Sequence, residues 1–339
     1  MELATLDQLR IALTQGAVNA TGLTASALAY AVAKIHCNTR RSVAVVAPSN
    51  ESAARFSADL GFFLPEESVL LDFPSYNLLP YKRLAYHGQT AARRLRTLYR
   101  LTAGESPMVT VVSAGALVQR MLPKAALIDY LDLVLPGEKL DTEKFVEKLL
   151  AGGYTRTVIT EEPGDFSVRG GIVDVFSPLF DEPVRIEMFG DRVEELRFFS
   201  PETQRKSGVC TEAVILPARE AILDDRRLPR VVSRVRARAA QLGLKPSLVR
   251  EPSERLRQDG VLPGAESLIA LMYERLDCLF DYVGLDTLWV LWDMPNLKST
   301  VQETWRQTSR SYIAARQDGR LCVSPARLQL RWKDRKSVV

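Results

Sequence analysis

The hydrophobic repeat of this chain changes period twice, and that double change restricts the fold more than any single motif does. Up to about Pro123, short apolar runs alternate with helical stretches. "SVAVVAPS" (42–49), "SVLLDFPS" (68–75) and the start of "MVTVVSAGALVQRML" (108–122) read as buried strands, because a continuous β-branched run bounded by polar residues suits a strand covered on both faces. Between them "TAARRLRTLYRLTAG" (90–104) places Leu95, Leu98 and Leu101 on one side of a helix that stops at Gly104. Leu3, Leu6, Leu9 and Leu13 have helical spacing, with Gly16 placed to end that helix. Strands alternating with helices predict a parallel sheet covered on both sides.

After Pro123 the period becomes two. Following a short helix in "LDTEKFVEKLLAGGY" (140–154), "FSVRGGIVDVFSP" (166–178) leads to "PVRIEMFGDRVEELRFF" (183–199). There Val184, Ile186 and Met188 alternate with Arg185 and Glu187, and Gly190-Asp191 supplies the turn between two strands. This is an antiparallel module with its own apolar face. From about Leu223 the texture is helical again: "RRLPRVVSRVRARAAQL" (226–242) is a basic amphipathic helix, and "TLWVLWDMPN" (287–296) is an apolar strand ending at an acid. The fold class that follows is α/β, a parallel-sheet domain with a β-rich α+β domain inserted in it. The expected divisions are 1–124, 125–222 for the insert, and 223–339.

At 339 residues the chain is long enough for more than one core. Its net charge of +4 is too small to argue nucleic-acid binding alone. Four dispersed cysteines without a CxxC pair, and only two histidines, argue against structural zinc and for a reducing compartment. No cofactor or metal is expected. With no apolar run of membrane-spanning length and no signal peptide, a cytoplasmic location without membrane contact is the expectation.

The stretch "VNATGLTASALAYAVAKIH" (18–36) has the outline of a phosphate loop entering a helix. A working loop needs glycines for close backbone approach, a lysine for the β/γ-phosphates and a hydroxyl for magnesium. Here Asn19 and Thr24 stand in the glycine positions and Ala25 stands for the lysine; only Ser26 fits. Helicase-type ATPases also carry paired acids after a strand, the second polarising the attacking water. At that point this chain has Asp293 followed by Met294. On its own residues the stretch is also readable as a loop and helix with one coincidental serine.

Together with "FPSYNLLPYKRLAYH", "GGYTRT", "DFSVRGGIVDVFSP", "RIEMFGD" and "ILPAREAI", these features resemble the N-terminal part of the bacterial transcription-repair coupling factors (Mfd), itself similar to the excision-repair subunit UvrB. The resemblance covers nearly the whole chain. It implies a degenerate helicase-like (RecA-like, P-loop type) domain split by an insert. It also implies no ATPase in this segment, the motor and the module that contacts RNA polymerase and DNA lying in parts this chain does not reach. In that family the insert binds UvrA, the damage-sensing ATPase. Carried over by motif, the UvrA-binding residues fall on Arg156, Arg169, Arg185 and Glu187. A further arginine of UvrB falls on Ser167, so that contact is missing. The implied function is a non-catalytic adaptor that recruits UvrA to stalled transcription complexes. The alternative is a helicase or translocase fragment that retains weak ATP or DNA binding.

The remaining candidates have plainer readings. His36 and Cys37 are neighbours in sequence but need spatial placement to act as base and nucleophile. Trp289 and Trp292 bracket an apolar strand and read as packing residues. Arg226 to Arg238 read as a solvated or domain-contacting helix face, and Tyr76, Tyr81 and Tyr86 lie in a segment too short and polar for a DNA wedge.

Overall fold

The computed structural model describes residues 8, 16–76, 80–81, 88–104, 107–245 and 265–332. The N-terminal leucine repeat, Tyr86 and most of the polar 250–267 stretch lie outside them.

A four-stranded parallel sheet forms the first unit. Its strands are β1 (Val43–Ala47), β2 (Val69–Phe73), β3 (Met108–Ser113) and, from the far end of the chain, β12 (Leu288–Leu291), in the order β12-β1-β3-β2. β1 and β3 are buried throughout, as their unbroken apolar runs require. The longer helices around this sheet are α1 (Ala25–Thr39), α2 (Asn50–Phe63), α3 (Gly88–Ala103), α5 (Leu228–Gln241) and α6 (Met294–Gln317), α4 belonging to the insert. α2 starts with a reciprocal cap in which the Ser49 and Ser52 side chains each bond the other's backbone.

The second unit begins at β4 (Asp132–Val134), which pairs antiparallel with β11 (Ala213–Ile215) where the chain returns. Between them, α4 (Thr142–Ala151) and a six-stranded sheet in the order β10-β9-β8-β7-β6-β5 are built. Its strands are β5 (Thr155–Arg156), β6 (Asp165–Arg169), β7 (Ile172–Val175), β8 (Val184–Phe189), β9 (Arg192–Phe199) and β10 (Lys206–Val209). All neighbours are antiparallel except the two-residue edge strand β5, which runs parallel to β6. The apolar side packs on Phe145 and Leu149 of α4, and this core draws only on residues 134–218. The core around α3, α5 and α6 skips from Tyr130–Leu131 to Ala221. The expected alternation of a parallel α/β unit with an antiparallel insert is thus present.

α3 fastens the two units together. Arg94, fully buried, bonds Glu220 at 2.6 Å and lies over the Phe73 and Tyr76 rings at 4.2 and 4.6 Å. Two residues on, Arg96 donates to the carbonyls of Pro178 and Phe180 and pairs with Asp181. One helix therefore holds both the return strap and the β7–β8 connection, from two different faces.

Candidate partner-binding face and degenerate nucleotide site

Period-two alternation gives the antiparallel sheet an apolar and a polar side. On the polar side two cross-strand rows run from β6 to β9: Ser167, Asp174, Arg185 and Arg197, then Arg169, Ile172, Glu187 and Glu195. The β6–β7 turn keeps these rows in register. Gly170 there has φ +58°, and a Cβ on Gly171 would lie 2.9 Å from the Met188 carbonyl oxygen.

Asp174 is the centre of this face and is fully buried. Both its oxygens accept from Arg185, Nε at 2.7 Å and a terminal nitrogen at 2.8 Å, and Oδ2 also accepts from Arg169 at 2.7 Å. The Arg185 guanidinium lies 4.5 Å from the Phe199 ring centre. Its bond to Asp174 raises its pKa further. A bidentate fork on a buried carboxylate is the geometry that offsets the desolvation of both charges. Beside it Glu187 pairs with Arg197, and Lys206 pairs with Glu195, holding that carboxyl below its ordinary pKa.

Arg185 and Glu187, two of the carried-over residues, are held by partners on their own sheet; the Arg185 side chain is only 13 % exposed. The reason is cross-strand: Asp174 sits opposite Arg185, and Arg197 diagonally reaches Glu187. Arg169 is shared differently, with one nitrogen on Asp174 and a side chain 49 % exposed. Arg156 is exposed on edge strand β5 and makes no ion pair among the described residues. Its register partner is Phe166 rather than Ser167, so the pleat leaves it outside the two rows. Ser167, where the family pattern loses an arginine, is buried near Asp174. Asp174 and Arg197 were not singled out from sequence; an acid inside the β-branched run "IVDV" was the available signal for the first.

The phosphate-loop-like residues have local occupations. Residues 17–23 form no regular element. Thr24 is the N-cap of α1, its hydroxyl accepting from Ala27 N at 3.2 Å, and Ala25 is the first helical residue. Ser26 donates to Asp59 of α2 at 2.8 Å, while Asn19 is exposed in the loop. Asp293, with φ +60°, caps α6, accepting from the Asn296 backbone at 3.3 Å and side chain at 2.6 Å; Met294 is exposed behind it. At the carboxyl ends of the other strands Ser75 donates to both Asn50 and Ser113.

The other candidates separate as well. The His36 ring bonds the Arg41 carbonyl at 2.8 Å, while Cys37 is exposed, so they form no nucleophile–base pair. Trp289 and Trp292 pack against Phe280 and Phe56. In α5 Arg234 and Arg238 donate to the carbonyls of Leu271, Met272 and Cys322, so part of that basic face is internal. Among the described residues no helix is long and apolar enough to cross a membrane.

Comparison with known proteins places this geometry. The UvrB interaction domain family matches residues 133–220, the stretch that builds the antiparallel sheet. The chain is 32 % identical over 318 residues to the transcription-repair-coupling factor of Myxococcus xanthus, covering 91 % of this chain and 26 % of that protein. It is 25 % identical over 311 residues to the Bacillus subtilis factor (88 % and 26 %), and 26 % identical over 303 residues to that of Haemophilus influenzae (89 % and 26 %). The chain spans about a quarter of the length of these relatives. Across nearly its whole length, then, this chain matches the UvrB-homologous region of the transcription-repair-coupling factors, with a UvrB interaction domain at its centre.

Proposed function

We propose that this chain is a non-catalytic adaptor that recruits UvrA, within a longer protein that couples transcription to excision repair. The observation that carries the reading is Arg169. Its guanidinium is aimed by a buried carboxylate yet remains half exposed, on the polar face of the UvrB interaction domain. An oriented arginine with free N–H groups suits a carboxylate on a partner protein. Arg156 is exposed at the sheet edge, outside the two rows, while Arg185 acts through Asp174 and Glu187 through its pair with Arg197.

In this reading the insert occupies residues 125–222, between 1–124 and 223–339, and the pairing of β4 with β11 supports a boundary there. Contacts with RNA polymerase and DNA belong to parts of the longer protein outside this chain. The nucleotide site is degenerate: the absence of a lysine at Ala25 and of a second acid at Met294 supports it, and Ser26 and Asp293 are engaged as a side-chain donor and a helix cap. A retained ATP site has no observation in its favour. The experiment is a binding titration of UvrA against the wild-type chain and Arg169→Ala. Weaker binding at unchanged melting temperature supports the adaptor reading, and undiminished binding removes its central residue.

A further inference from the structure

The α/β unit carries a concentration of positive charge that its neighbouring acids do not balance. Arg230, Arg234 and Arg238 recur at every fourth residue of α5, so they form one row about 12 Å long on one side of the helix. The row lies along a seam with later parts of the chain. Arg234 donates to the carbonyls of Leu271 and Met272 at 3.4 and 3.3 Å, and Arg238 to the Cys322 carbonyl at 2.8 Å and the Tyr312 hydroxyl at 3.2 Å. Arg327 enters the same seam, donating to the Ala270 carbonyl at 2.6 Å while remaining exposed. Its pKa is lowered, by partial desolvation first and then by the charges of Arg238 and Arg234. Glu274 pairs with the near end of the row, 3.5 Å from Arg234 and 4.0 Å from Arg230. Among the described residues Arg238 and Arg327 have no ion pair. Neutral acceptors thus fix these guanidiniums in place and leave their net charge uncancelled.

We infer that the seam of Arg230, Arg234, Arg238 and Arg327 is a contact site for the phosphate backbone of duplex DNA, bound without regard to sequence. Phosphate contacts need oriented donors and positive charge and nothing else, and arginine forks suit phosphate oxygens. A protein partner would need an apolar or aromatic anchor as well, and neither α5 nor the stretch 320–328 exposes a large apolar side chain. The contact is additional to those assigned to parts of the longer protein outside this chain. It lies on the α/β unit, so it stands or falls independently of the UvrA-binding face. Arg236 is an internal control: an exposed arginine of the same helix, two residues from Arg234 and therefore on the opposite side, beside Leu228, Pro229 and Val232.

The test is the affinity of the full chain for a short fluorescent duplex of mixed sequence, followed by anisotropy across a salt series, with melting temperature recorded for each variant. The double variant Arg230→Gln/Arg327→Gln is expected to weaken binding about tenfold at low salt and to lower the slope of log K against log salt by about 2, one for each lost phosphate contact. Arg230→Lys/Arg327→Lys, which keeps the charge, and Arg236→Gln, which removes one on the other side, are each expected to bind within about threefold of wild type. UvrA affinity should be unchanged in all three. A glutamine pair that binds duplex no worse than Arg236→Gln overturns the inference, as does a wild-type chain that fails to bind duplex at low salt. If the glutamine pair melts lower, Arg230→Gln alone decides, at a side chain 78 % exposed: a slope lowered by about 1 supports the site and an unchanged slope overturns it. Displacement of the duplex by poly-glutamate at equal charge concentration would make the seam a site for an acidic protein segment and overturn the DNA assignment.

Discussion

Around the carboxyl end of the parallel sheet, Thr24, Ser26, Asn50, Ser75, Ser113 and Asp293 spend hydrogen-bonding capacity on nearby backbone, on Asp59 and on one another. On the polar side of the antiparallel sheet, Asp174 holds Arg185 by a two-bond fork but Arg169 through one nitrogen only. Both regions are rich in polar groups, and in both the groups are well ordered. They differ in what is left over. A cap that bonds its own helix has nothing to offer a nucleotide, whereas an arginine oriented by a buried acid still presents N–H groups to solvent. Polar residues at a strand end therefore indicate a site only when their bonding capacity exceeds what the fold uses.

Breaking the buried side of this contrast gives the largest expected effect. Arg185→Ala leaves the fully buried Asp174 with the half-exposed Arg169 as its one charged partner, beside the Ser167 hydroxyl, and removal of one partner of a buried ion pair costs about 3–5 kcal/mol. Chemical denaturation measures this, and a loss below about 0.5 kcal/mol would return Arg185 to the exposed class. Replacing Asp174 and Arg185 together by leucine and methionine is expected to recover much of that stability, since apolar replacements of buried pairs are often neutral. Arg169→Ala comes next. UvrA affinity is expected to fall by about 1.5–3 kcal/mol, the range for hydrogen bonds to charged groups, with stability within about 0.5 kcal/mol of wild type.

The nucleotide-like end yields smaller effects. Thr24→Ala and Asp293→Ala each remove a helix cap and are expected to cost about 1 kcal/mol. UvrA affinity should not change in either variant. Ala25→Lys is expected to confer no magnesium-dependent ATP binding, because Thr24 and Met294 remain unsuited and Ser26 stays on Asp59. Saturation by sub-millimolar ATP in a calorimetric titration, for wild type or this variant, would reopen the enzyme alternative. DNA binding gives the least contrast: weak, without sequence preference and falling steeply with salt, as a mobility-shift series at two salt concentrations would show.

How much of this was legible beforehand varies with distance along the chain. β1, β3 and the β8–β9 hairpin are written in local patterns, an unbroken apolar run or strict alternation, so their class follows from a few residues. The polar face is not local. Asp174 and Arg185 meet because two strands pair in one register, and no spacing within either strand announces it. The same holds for Ser26 and Asp59, and for Arg94, one of several similar arginines in "RRLRTLYRL" and fully buried against Glu220. The resemblance pointed to strands of one sheet, and three of its four residues lie on one side of that sheet. It did not distinguish a half-exposed arginine from one held within the sheet.

That distinction is the central claim, and calorimetric titration of UvrA into the wild-type chain and into the Arg156→Ala/Arg169→Ala double variant tests it most directly. The account predicts binding to wild type and its loss by at least tenfold in the double variant, with both proteins melting at the same temperature. Wild-type affinity in the double variant would contradict it, because the exposed arginines of the antiparallel sheet would then have no part in recruiting UvrA.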